Sequence, residues 1–184
     1  MDNNIVNGDG DKKVTISGTT NRYMIKKVTR GKESPKIRKE AESKEWNSNK
    51  ETQLNLLQDV CSGIFSQEIH RDLQKQLERK LASYKQQDIL KKRWSEGEFV
   101  TMAQLIDLLL ETKLLCYYCS NDVLLLYEFV REPRQWTLDR INNDIGHNSG
   151  NLVISCLECN LNRRKKSKDA FLFTKKLIIT RSED

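Results

Sequence analysis

Apolar residues recur every fourth position at Ile69, Leu73, Leu77 and Leu81, and Tyr84 extends the stripe. That period predicts amphipathic helix over about 52–94. Ser62-Gly63 is the expected break between two helices. The stripe is a packing face for the protein's own core or, in a sharper alternative, a short coiled-coil seam of a homodimer. Thr101 and Gln104 have capping-box spacing, and the helix behind them, rich in leucine, should run to about 113. Beyond it the pattern changes. The apolar run over 123–130 reads as a strand, although a short buried helix fits the same residues. Pro133 closes it. Further short strands are expected at 135–138 and 151–155, with Gly146 and Gly150 marking the loop between them. A helix should occupy about 157–163, and Ser167 should cap a last one carrying Phe171, Leu172, Leu177 and Ile178. The fold class is α+β.

The first 50 residues have no such pattern. Charged and small polar residues dominate there, with Lys26, Lys27, Arg30, Lys32, Lys36, Arg38 and Lys39 making the segment basic. Such a stretch buries too little surface to offset its ordering entropy. It is expected to be a disordered tail, either a solvated spacer or an arm that scans a nucleic-acid backbone. The predicted organisation is a tail over 1–50, a helical region over 51–98 and a C-terminal domain over 99–184. The formal net charge of +6 favours a polyanionic partner such as nucleic acid. No apolar run approaches the roughly 20 residues of a membrane helix, and the first residues lack a secretory leader's pattern. An intracellular, reducing compartment is therefore expected, where paired cysteines favour metal over disulfides.

Four of the five cysteines form two C-x-x-C pairs, Cys116 with Cys119 and Cys156 with Cys159. Soft thiolates at this spacing can close around one tetrahedral Zn²⁺. A thioredoxin-like redox role needs a βαβ setting that is missing here. Four thiolates leave the ion no open position, so this zinc would hold the fold and do no chemistry. The fifth, Cys61, is expected to be a small buried apolar residue.

The residues between and after the pairs carry more. Thr137-Leu138-Asp139-Arg140-Ile141-Asn142-Asn143, Gly146-His147, Gly150-Asn151-Leu152 and Cys156-x-x-Cys159-Asn160 resemble the HNH endonucleases, also called ββα-metal or His-Me finger nucleases. The zinc-knuckle branch of phage, intron-encoded and large-DNA-virus proteins, which includes junction-resolving enzymes, is the nearest in pattern. The resemblance covers roughly 114–168, with an upstream extension through Tyr84 to Ile89. It implies a ββα core, a structural zinc held by the four paired cysteines, and a catalytic Mg²⁺ or Mn²⁺ held by Asp139 and Asn160. It also implies that Asn151 pins the loop and that the substrate is duplex or branched DNA. A hard divalent ion prefers such oxygen ligands and keeps water positions for phosphate oxygens.

This chain departs from the family at one position. Arg140 stands where the pattern has its general-base histidine, and a guanidinium cannot take a proton from water. His147 is the expected base, because the only other histidine, His70, lies in the helical region. Asp144 is a weaker alternative as base or extra ligand. Arg140 and the basic run Arg163, Arg164, Lys165 and Lys166, with Lys168 beyond it, are expected to contact phosphate. Trp136, Tyr117 and Tyr118 fill the core or stack on DNA. The expected function is a metal-dependent endonuclease. Its rivals are a catalytically inactive zinc module of the same descent that binds nucleic acid, and a protein-interaction module.

Overall fold

The computed structural model describes residues 35–42, 44, 46 and 49–177. The basic residues expected to lie on a tail before position 35 fall outside them. Contacts divide the chain after Pro35, and Lys36–Asp184 forms one unit. That unit is α+β, with five α-helices and one two-stranded sheet among the described residues.

Helix α1 spans Lys50–Cys61, and its N-cap Asn49 accepts a hydrogen bond from the Thr52 amide at 2.8 Å. It stops at Ser62, and Gly63 takes a left-handed φ of 74°. Helix α2 spans Glu68–Leu90 and buries Leu73 and Leu77. Helix α3 spans Met102–Glu111, and its capping box is formed. It ends slightly earlier than expected, because Lys113 and Leu114 adopt positive φ and turn the chain into the first cysteine pair. Strands β1, Trp136–Arg140, and β2, Leu152–Cys156, pair antiparallel with Asp139 opposite Val153. Helix α4, Leu157–Arg163, follows β2 directly. Helix α5, Lys168–Lys176, is capped by Ser167, whose hydroxyl accepts from the Ala170 amide.

Four expectations need correction. The run over 123–130 is neither strand nor helix, although Val123, Leu125 and Leu126 are buried. Its amides find scattered partners instead: Val123 and Leu124 donate to the Leu114 and Arg134 carbonyls, and Gln53 Oε1 accepts from the Leu125 and Leu126 amides at 2.6 and 3.2 Å. The polar N-terminal stretch does not continue as a tail to position 50. Trp46 is buried, Ile37 bridges to Phe129, and the Arg38 guanidinium lies 4.3 Å from the centre of the Tyr127 ring. The helical region and the C-terminal region are not separate, since one core cluster joins Leu57, Leu73 and Leu77 to Leu105, Trp136 and Ile154. The α2 stripe is therefore occupied by the protein's own core and offers no coiled-coil seam. Cys61 is exposed, because it sits one residue past the buried Val60 at the end of α1.

No helix among the described residues is long and apolar enough to cross a membrane.

Candidate functional site

The sheet and α4 carry the site because of the cysteine cluster beneath them. The four sulfurs of Cys116, Cys119, Cys156 and Cys159 all lie within 4.8 Å of one another. Four Zn–S bonds of ordinary length in a tetrahedron place sulfurs about 3.8 Å apart, and Cys119 and Cys156 stand at 3.9 Å. The donor set fits zinc. The first knuckle closes through hydrogen bonds from the Ser120 amide to the Cys116 carbonyl and from the Cys116 amide to the Asn121 carbonyl, with Ser120 left-handed. It is tied to β2 by the Tyr117 amide, which donates to the Ile154 carbonyl at 2.8 Å. Burial pushes the Cys159 thiol up to about 12, and the neighbouring Cys116 sulfur raises Cys156. A cation among the four sulfurs would favour their thiolate forms at this spacing.

Above this cluster, residues of α2, β1, α4 and the loop between the strands line a cavity of about 360 Å³. Asp139, Arg140, His147 and Asn160 all border it, together with Tyr84, Lys91 and Arg164. Asp144 does not: it is exposed and lines a second, larger cavity. Asp139 is buried. Its Oδ1 accepts from Arg163 Nη1 and its Oδ2 from the Tyr118 hydroxyl, both at 2.7 Å. Tyr118 lies between Cys116 and Cys119, so the cysteine cluster and the carboxylate are linked directly. Burial and the Asp139 hydrogen bond raise the Tyr118 phenol, which stays a donor. Asn160 donates through Nδ2 to Thr137 Oγ1 at 3.0 Å, and its Oδ1 has no hydrogen-bond partner among the described residues.

Asn151 is bonded into the loop. Its Oδ1 accepts from the Asn142 amide, and its Nδ2 donates to the Asn142 and Gly146 carbonyls at 3.0 Å each. Arg140 holds the same loop from the other side, donating to the Asn143 and Ile145 carbonyls. Burial and the nearby Arg93 lower the Arg140 pKa, yet a guanidinium remains charged at any ordinary pH.

His147 is buried and carries a partner that sequence reasoning did not assign. Its Nδ1 lies 2.9 Å from Asp88 Oδ1, and its backbone amide donates to Asp88 Oδ2 at 2.6 Å. The Tyr84 ring sits 4.5 Å from the imidazole, centre to centre. Nε2 has no hydrogen-bond partner among the described residues. Burial lowers the His147 pKa; Asp88 opposes that shift, while Arg140 and Lys91 add to it. The imidazole is therefore neutral near pH 7.

The basic run separates into two parts. Arg163 departs from the expected phosphate contact, because it is 1% exposed and its guanidinium is taken by Asp139 and by the Arg140 and Ile141 carbonyls. A buried carboxylate needs that counter-charge. Arg164, Lys165 and Lys166 are exposed and line the second, larger cavity, of about 980 Å³. Lys91 and Arg93, just past the end of α2, which sequence reasoning also missed, line it as well, together with Arg140. None of these six cations has a salt-bridge partner among the described residues. Trp136 and Tyr118 are buried in the core and unavailable for stacking, whereas Tyr117 is exposed with Lys168 over its ring.

A signal for Asp88 was present. Positions 69, 73, 77, 81, 84 and 88 form one helical stripe, and Asp88 is the acid at its end. An acid on a buried face must have a partner. Comparison with family models, with curated proteins and with solved structures finds no match to this chain, so no family is assigned.

Proposed function

We propose that the protein is a metal-dependent endonuclease that hydrolyses DNA phosphodiesters on an HNH-like ββα core. The observation that carries this is the meeting of Asp139, Arg140, His147 and Asn160 around one cavity, on a strand–strand–helix unit anchored by a four-cysteine cluster. A carboxylate and an unpartnered amide oxygen are hard ligands suited to Mg²⁺ or Mn²⁺. The bonds Asp139 already makes leave it capacity, because a carboxylate has about four lone-pair sites. When bound, such an ion would stabilise the charge that builds on the phosphate.

The remaining work falls to the chain. His147 Nε2 takes the proton of a water whose oxygen forms the new bond to phosphorus, while the bond to the leaving sugar oxygen breaks. Arg140 and the cations of the larger cavity hold the backbone phosphates on either side. Asn151 and Arg140 keep the loop in the shape that brings His147 to the cavity.

The rival is a module of the same descent that binds nucleic acid and does not cut. It is favoured by Arg140 and by the bond that each Asp139 oxygen already accepts. A nicking assay on supercoiled and branched DNA with Mg²⁺ or Mn²⁺ separates the two. The endonuclease requires cutting by the wild type and loss of cutting in Asp139→Ala and Asn160→Ala, whereas a His147→Ala protein that cuts normally would overturn the base assignment alone. Salt-sensitive binding without any cutting would leave the binder as the function.

A further inference from the structure

We propose that Asp88 is a positioning residue for His147, fixing the imidazole in its Nδ1–H tautomer with Nε2 bare toward the cavity. Its consequence for catalysis rests on His147 acting as the base; its effect on the ring does not.

Asp88 sits on α2, fifty-nine positions before His147, and is 1% exposed. Its two oxygens do two tasks. One takes the ring Nδ1 at 2.9 Å and the other takes the backbone amide of the same residue at 2.6 Å. This two-point grip fixes where the imidazole sits as well as which nitrogen faces the acid. A carboxylate can only accept, so a neutral imidazole bonded to it must carry its proton on Nδ1. Tyr84, one turn earlier on the same helix face, lies against the ring. The Tyr84 hydroxyl also accepts from the Leu138 amide at 3.0 Å, so the cradle is joined to β1 beside Asp139. The charged and titratable groups facing His147 are Asp88 and Tyr84 from α2, Lys91 at its C-cap and Arg140 from β1. Among the described residues only Asp88 is an acceptor for Nδ1.

Gly146 shows how closely the loop presses on this acid. A Cβ there would lie 2.6 Å from the Arg93 carbonyl oxygen and 2.8 Å from Asp88 Oδ2. Any side chain at 146 would displace either the helix end or the carboxylate.

Nitrogen-15 NMR of the full-length, zinc-loaded protein tests the tautomer directly. The chain has two histidines, so His70→Gln identifies the His147 signals. The wild type at neutral pH should show Nδ1 protonated and Nε2 bare. In Asp88→Asn the side-chain amide can donate to Nδ1, and the proton should move to Nε2. Cleavage of supercoiled DNA with Mn²⁺ by Asp88→Asn should fall roughly 10²–10³-fold. The acid midpoint of the remaining activity should move to lower pH, because Asp88 raises the His147 pKa. A merely structural loss would lower the rate through unfolded protein and leave the midpoint in place. An Nε2–H tautomer in the wild type overturns the inference, as does an Asp88→Asn protein with unchanged tautomer and midpoint. If the wild type shows the Nδ1–H tautomer but cuts no DNA, the endonuclease proposal fails and the role of Asp88 at His147 stands.

Discussion

His70 and His147 are both buried and both face an aspartate, yet they stand in different chemical situations. At the start of α2, His70 Nδ1 accepts from the Gln67 amide at 3.2 Å and Nε2 faces Asp59 Oδ2, also at 3.2 Å. Both ring nitrogens are bonded, and the side chain closes the turn between α1 and α2. At the cavity, His147 has Nδ1 on Asp88 and leaves Nε2 without a partner among the described residues. Burial and an acid neighbour are thus shared by a structural histidine and a candidate base. The distinguishing feature is one nitrogen without a partner among the described residues, on a residue that lines a cavity of about 360 Å³.

The largest expected effect tests whether these two histidines belong to one body. Both regions contribute to a single core cluster that includes Cys116, Cys156 and Cys159. Structural zinc sites contribute on the order of 10 kcal/mol to folding. Chelating the metal, or replacing Cys159 with Ser, should therefore abolish the native NMR signals of His70 and His147 together and in one thermal transition. If the His70 signal keeps its native position while that of His147 is lost, the turn and the cavity are separate modules.

The next effect bears on function. His147→Ala should lower metal-dependent cleavage by about 10²–10⁴-fold, the usual worth of a general base. His70→Ala should leave the rate of the folded fraction unchanged. Its cost is in stability, about 1–3 kcal/mol, because the Gln67 amide and Asp59 lose their partner. Denaturant titration and single-turnover cleavage on the same preparations read both quantities. Equal losses of rate in the two variants would remove the contrast.

How far the contrast is legible in the sequence depends on distance along the chain. The cysteine pairs, the capping box at Thr101, the strand–loop–strand–helix order and the polar residues around the cavity are local patterns, and local hydrogen bonding sets their structure. The region over 123–130 misleads because its composition suits a strand while Gln53, more than seventy residues earlier, takes the Leu125 and Leu126 amides. Arg163 misleads in the same way. Within the run Arg163 to Lys166 it looks like one solvated cation among four, but it is on the α4 face turned toward β1, where Asp139 needs a counter-charge. Asp88 lies at the end of a stripe whose apolar members carry the visible pattern. Pairings across fifty or more residues leave no periodic trace, and here they make the difference between His70 and His147.

The smallest effect follows from the charges around the open histidine. Burial, Arg140 and Lys91 hold the His147 pKa below its ordinary 6.5, against the pull of Asp88. The neutral base is fully present above 6.5 and is lost as pH falls through the lower folded value. The stability this depression gives is likewise complete above 6.5 and lost on the way down. Lys91→Gln removes one cation that disfavours the imidazolium, so the acid limb of cleavage should shift slightly to higher pH, opposite to Asp88→Asn. Lys91 also lines the larger basic cavity, and losing one phosphate contact should reduce the slope of log affinity against log salt by about 0.9 on duplex DNA. Lys44→Gln is the matched control at the other histidine. Its ammonium pairs with Glu68 and Asp72 beside His70, and its loss should change neither the pH midpoint nor the salt slope. A Lys91→Gln protein that behaves like Lys44→Gln in both measurements would mean that the basic cavity faces no phosphate and that Lys91 does not act on His147.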